Sequence, residues 1–211
     1  MQRMTDTSPR IAVVVGSNRP QRICPEIAAW VQRALHAAHL FEVELVDLED
    51  IDLPFLDEPS LPARGRYVHE HSVRWSELVR SYDGFVFVFP QYNWGYPAVL
   101  KNALDFLYHE WADKPAGLVT YGTRGGGLAA AQLRQVLQGL HMRATEKNVE
   151  LKTDEAMLTG DGNFHDIDAA FADQLPEMTA LAVELDRMVD GRPRPSQTSP
   201  RKWNQIPKET A

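Results

Sequence analysis

Ser17, Arg19 and Arg22 fall in one short stretch, Gly16-Ser-Asn-Arg-Pro-Gln-Arg22, directly after the apolar run Ile11-Ala-Val-Val-Val15. A hydroxyl and two guanidinium forks, beside free backbone N–H groups where a helix begins, favour an anion and match the oxygens of a phosphate. The stretch lacks the G-x-G-x-x-G of dinucleotide folds and the G-x-x-x-x-G-K-[ST] of triphosphate folds. It therefore suits a terminal phosphomonoester. Taken alone, it reads equally well as a tight turn carrying two solvated arginines.

Two further turns carry complementary chemistry. Pro90-Gln-Tyr-Asn-Trp-Gly-Tyr-Pro97 follows the run Phe85–Phe89. Its aromatics offer faces to a planar ligand, and Asn93 offers a donor and an acceptor to an imide-like edge. Gly95 lets backbone approach a ring closely. Packing of Tyr92, Trp94 and Tyr96 into the core is the competing reading, and Trp94 or Tyr96 also suits a subunit interface. The third turn is Tyr121-Gly-Thr-Arg-Gly-Gly-Gly127. Gly122, Gly125 and Gly126 permit positive φ and expose N–H groups, and Thr123 adds a hydroxyl. Arg124 either meets a second, anionic substrate or is solvated. Ligands of an open parallel sheet sit outside the carboxyl ends of its strands, so the three turns read as walls of one nucleotide pocket.

Alternating strands and helices must position these turns. Ile11–Val15, Phe41–Asp47, Phe85–Phe89, Gly117–Tyr121 and Arg143–Leu151 read as strands. Phe41–Asp47 alternates apolar and acidic residues, as an edge strand does, whereas Phe85–Phe89 is apolar throughout, as a covered central strand is. Helical spacing runs through Ile23–Leu40, Val68–Tyr82, Ala98–Trp111, Gly127–Leu140 and Ile167–Val189. Leu48–Tyr67, rich in Pro and acidic residues, reads as an irregular surface segment. The expected fold is α/β, a flavodoxin-like doubly wound five-stranded parallel sheet in the order 2-1-3-4-5. Residues 1–9 read as a flexible lead, 10–190 as the binding domain and 191–211 as a tail or an arm across a partner.

The chain has 211 residues and a net charge of −7. That excess of acid argues against nucleic acid as the main partner. One cysteine, Cys24, excludes an intrachain disulfide and fits a reducing compartment. The polar start lacks a signal core, and no apolar run approaches the ~20 residues of a membrane helix. A cytoplasmic protein is expected.

In combination the motifs resemble the NAD(P)H-dependent FMN reductase family. They are Gly16-Ser-x-Arg19, Pro90-x-Tyr92-Asn93-x-Gly95-x-Pro97 running into Leu100-Lys-Asn-Ala-Leu-Asp105, and Tyr121-Gly-x-x-Gly-Gly126 running into Gln132-Leu-Arg134. The resemblance covers about Ile11 to Leu151. It implies bound FMN, NADPH or NADH as donor, a flavin, quinone, azo or nitro compound as acceptor, and homodimers or tetramers. It implies that Ser17, Arg19 and Arg22 hold the phosphate, with backbone contact at Ile23 and Cys24. Many relatives carry a small hydroxyl residue at the position of Ile23-Cys24, a departure that removes the side-chain contact. Pro90, Gln91, Tyr92, Asn93 and Gly95, with Trp94 between them, would hold the ribityl chain and ring. Tyr121, Gly122, Thr123 and Gly126, with Gly125, would line the pyrimidine side.

Flavin carries such chemistry itself, so no catalytic side chain is expected. A dedicated quinone, azo or nitro reductase is the alternative, and a non-enzymatic flavodoxin-type electron carrier ranks behind both. His69-x-His71 and His165-x-x-Asp168 lack a third obvious ligand, so no metal site is expected. Asp105 is a candidate to orient Asn102. The apolar excess of Ala98–Trp111 suggests a second buried face and a homodimer interface there.

Overall fold

The computed structural model describes residues 8–190. Of the expected lead, only Ser8 and Pro9 fall within that range, and the Pro9 carbonyl accepts a hydrogen bond from the Glu42 N–H at 2.8 Å. The expected tail, 191–211, lies outside the described residues.

Strands β1 (Arg10–Val15), β2 (Glu42–Asp47), β3 (Gly84–Pro90) and β4 (Pro115–Gly122) are parallel neighbours in the order β2-β1-β3-β4. The fifth position is filled by two short segments, β5 (Arg143–Ala144) and β6 (Val149–Lys152), both paired parallel to β4. The expected strand Arg143–Leu151 is thus interrupted. Arg143 aligns with Pro115 and Val149 with Val119, so the edge carries two residues more than β4 does over the same span. Arg134 braces this excursion. Its guanidinium donates to the Thr145 carbonyl at 2.7 Å and to Asn148 Oδ1 at 2.5 Å.

Period-2 alternation sends strand side chains into two apolar layers. Ile11, Val13, Val15, Val86, Val88 and Val119 pack under α1 (Cys24–His36) and the C-terminal helix. Val14, Phe85, Phe87, Phe89 and Leu118 pack on the other face. Helices cover both faces, which makes the sheet doubly wound. The segment after β2 opens with a short helix, α2 (Leu48–Ile51), capped by Asp47, and then runs irregularly to α3 (Glu70–Arg80).

Helix α4 (Ala98–Asp105) ends well short of Trp111. The chain turns back instead. That turn sets Trp111 edge-on to Phe85 with ring centroids 5.0 Å apart, and it buries Glu110 among polar partners. Leu100, Ala103, Leu104, Phe106, Leu107 and Trp111 are all covered within the chain. The expected second apolar face is therefore supplied intramolecularly, so this helix carries no argument for a dimer. Asp105 bonds Lys101, while Asn102 grips the irregular segment through the Leu56 N–H and the Pro54 carbonyl. Asp105 does not orient Asn102.

Helix α5 (Gly127–Gly139) follows β4. The expected final helix is two pieces, α6 (Ile167–Ala170) and α7 (Leu175–Asp190). Pro176 has no N–H to give a preceding turn, so it sits in the first turn of a new helix.

Candidate cofactor site

The loops after β1, β3 and β4 leave the carboxyl ends of three adjacent strands. Strand order reverses between β1 and β3, the position at which open α/β sheets bind ligands. Short bonds join the loops. The Ser17 and Tyr92 hydroxyls lie 3.1 Å apart. The Gln91 N–H donates to the Tyr121 carbonyl at 3.1 Å, and Gln91 Oε1 accepts from the Ala129 N–H at 3.2 Å. That second bond satisfies a free donor in the first turn of α5, whose own N-cap, Gly126, has no side chain to do so.

In the first loop the two arginines part company. Arg22 is half-buried and forked onto Asp47, with Nη1–Oδ1 at 2.7 Å and Nη2–Oδ2 at 2.8 Å. It also meets Glu49 and the Ser17 carbonyl. Burial works against its charge, but Asp47 and Glu49 outweigh burial and raise its pKa. Its fork is thus engaged within the chain, and it ties the loop to the end of β2. Arg19 is exposed, and its guanidinium has no hydrogen bond or ion pair among the described residues. Gly16 is pressed against β3, where an added Cβ would lie 2.9 Å from the Val88 carbonyl oxygen.

Ile23 caps α1 and packs half-buried against the apolar layer. Cys24 is fully buried, and its thiol donates to the Val88 carbonyl at 3.3 Å. Burial pushes that thiol up to about 12, against the Tyr121 hydroxyl hydrogen bond that favours the thiolate. Tyr121 is buried, with its hydroxyl toward Cys24. Burial and the facing thiol raise its own pKa.

The second loop is a tight hairpin. Tyr92 and Gly95 exchange both N–H···O bonds at 2.8 Å. Asn93 and Trp94 between them have φ of 47° and 71°, the signature of a type I′ turn. Asn93, Trp94 and Tyr92 are exposed, so Tyr92 and Trp94 are not core fillers. Gly95 is backed by α5, with Gln132 Oε1 3.0 Å from where its Cβ would sit. The close approach expected of Gly95 is thus made to Gln132.

The glycines of the third loop are squeezed from two sides. A Cβ on Gly126 would fall 2.8 Å from Thr120 Cβ, and one on Gly125 would fall 3.0 Å from Glu150 Cβ. Both have positive φ. Thr120 closes the turn by donating to the Gly125 carbonyl at 2.8 Å. Thr123 and Arg124 are exposed at its tip.

Asp47, Glu49, Gln132 and Glu150 were missed from sequence. Asp47 carried the clearest signal, as an acid ending the strand that flanks the arginine loop. The candidate metal pairs are otherwise engaged. His71 bonds Asp57 at 3.0 Å and stacks on His69, and Asp168 pairs with Arg33.

An unpaired cation beside a helix start, exposed amide and hydroxyl groups on two facing loops, and glycine-lined backbone fit a ligand with one phosphate and a flat polar ring. Such a fold and site define a flavodoxin-like mononucleotide-binding protein. The family model for NADPH-dependent FMN reductase matches residues 9–155. The chain is 49% identical over 144 residues to an NAD(P)H-dependent FMN reductase of Schizosaccharomyces pombe, covering 67% of this chain and 72% of that one. It is 30% identical over 187 residues to a quinone reductase of Pseudomonas putida, covering 85% and 97%. The solved flavoenzyme NAD(P)H:(acceptor) oxidoreductase of Paracoccus denitrificans superposes with a TM-score of 0.66 at 22% identity, covering 85% and 98%. The chain belongs to the NADPH-dependent FMN reductase family, whose cofactor is FMN and whose donor is NAD(P)H.

Proposed function

We propose that this chain carries reducing equivalents from NAD(P)H to a small, flat organic acceptor, a quinone or a free flavin, at the rim formed by the three loops. One observation carries the reading: the three loops are bonded into one rim that presents Arg19 as an unpaired cation beside the start of α1. Arg19 and loop N–H groups hold the phosphate, Ser17 supports the loop from beneath through Tyr92, and Arg22 fixes the loop that presents them. Asn93, Thr123 and the backbone at Gln91, Gly122 and Gly125 face the ribityl chain and ring. Bound FMN supplies the two-electron exchange with the nicotinamide. The quinone reductase relative favours a quinone as acceptor. A homodimer and a reducing, cytoplasmic setting belong to the same reading. The apolar side chains exposed at Phe55, Leu61 and Val68 and the lone buried thiol support them. Among the described residues, no helix is long and apolar enough to cross a membrane.

The test is spectroscopic. FMN titrated into purified protein should give a bound flavin spectrum that NADPH bleaches without oxygen and that a quinone restores. Protein that stays colourless in excess FMN, or a bound flavin that NAD(P)H never bleaches, would overturn the reading.

A further inference from the structure

Trp94 holds a left-handed backbone with φ 71°, yet its side chain is 69% exposed. A bulky residue in that region is a conformational outlier. Such strain persists where its surroundings impose it, and it clusters at ligand sites. Here the turn is imposed by the Tyr92–Gly95 bond pair and by Gln132 behind Gly95. Asn-Gly is the preferred central pair of a type I′ turn, so a glycine would serve this turn better than the tryptophan does. Among the described residues the indole makes no hydrogen bond or ring stack, and most of it faces outward.

Two further exposed side chains belong to the hairpin and to the helix behind it. Leu128, 52% exposed, stands on α5 one turn before the Gln132 that supports the hairpin. Asn93 is exposed beside the indole and offers an amide N–H to a ring carbonyl. An indole face, an aliphatic flank and one amide donor suit a flat, uncharged ring bearing carbonyl oxygens.

We propose that Trp94 is the platform on which a quinone lies while it is reduced, an assignment that rests on the FMN-reductase reading. In the net reaction NAD(P)H, one proton and a quinone become NAD(P)+ and a hydroquinone. The quinone takes two electrons and two protons, one of them from solvent.

The experiment uses the FMN-loaded enzyme with Trp94→Gly and Trp94→Phe. Binding of 1,4-naphthoquinone to the oxidised holoenzyme is measured by calorimetry without reductant, and turnover is compared with ferricyanide, which is not flat. W94G should bind naphthoquinone about tenfold more weakly, the scale of one aromatic stacking contact. Its ratio of quinone to ferricyanide kcat/KM should fall about as far, and W94F should stay close to the parent on both measures. W94G should also melt at a higher temperature, because the strain is relieved. Unchanged naphthoquinone binding in a yellow W94G overturns the platform alone. So do equal losses on both acceptors, or a rise in KM for NAD(P)H only. A parent enzyme that binds no FMN overturns the flavoenzyme reading instead and shows itself first, in the visible spectrum.

Discussion

The Ser17 and Tyr92 hydroxyls, 3.1 Å apart, join the loop after β1 to the loop after β3. Ser17 is fully buried and Tyr92 is 37% exposed, so the bond spans from beneath the phosphate loop to the open rim. The two loops are therefore set relative to each other before any ligand arrives. Tyr92→Phe should lower FMN affinity by about 0.5–1.5 kcal/mol, the net value of one hydrogen bond. The melting temperature should fall modestly as well, because the fully buried Ser17 hydroxyl loses its close partner. Flavin titration beside a melting curve checks both parts.

The two arginines of the first loop should separate cleanly. Arg19→Ala should weaken FMN by about 1.5–3 kcal/mol, the scale of a charged hydrogen bond, while riboflavin affinity and melting temperature barely change. Arg22→Ala leaves Asp47 and Glu49 facing each other without their cation. It should lower the melting temperature and weaken FMN and riboflavin alike. Arg22→Lys should not restore the parent, because an ammonium cannot reproduce the fork. Paired titrations with the two flavins decide.

Cys24 should be inert in the folded protein. Its thiol is fully buried and pushed up to about 12 by that burial, and the thiolate is the reactive form. Native protein at pH 8 should resist iodoacetamide for hours and take up one equivalent once unfolded, as read by mass spectrometry. Fast labelling of the native state would refute the packing described for this residue.

Glu110 should govern acid stability. Burial opposes its charge, yet hydrogen bonds from Ser76 at 2.7 Å, Arg80 at 2.8 Å and Tyr67 at 2.9 Å outweigh burial and hold the carboxyl below its ordinary range. A carboxyl more acidic in the folded than in the unfolded chain contributes stability above its unfolded pKa, about 4.3. That contribution is lost as the pH falls through the folded value. Glu110→Gln should cost about 2–4 kcal/mol at pH 7, and the gap to the parent should narrow below about pH 4. Urea unfolding at both pH values measures it.

Much of this was legible in the residues. Val13 through Val15 and Phe85 through Phe89 are apolar without a break, as covered central strands are, and the glycine turns after them fall at the carboxyl ends of those strands. What escaped notice depended on contacts distant in sequence. Arg22 and Arg19 look alike along the chain, and only the register that sets Val15 beside Asp47 tells them apart. The edge strand breaks because Arg134 holds Thr145 and Asn148 from another helix. Helix α4 stops at Asp105 although helical spacing continues, because Trp111 and Glu110 have partners that a straight helix would carry them past. Gly95 and Gly126 read along the chain as room for a ligand, and the fold adds a second demand that sequence does not show: Gln132 and Thr120 stand where their side chains would be.

Glu110, with Tyr67, Ser76 and Arg80, lies where the chain enters the sheet, as do Arg10, Glu44 and Tyr82. Every loop assigned to the ligand leaves from the opposite end. Two polar anchors thus hold the sheet, one at each end, and only the Arg22–Asp47 pair shares its end with the candidate site. A saturation library should show heat-sensitive variants that keep their colour around Glu110, and variants that lose both heat resistance and colour around Arg22.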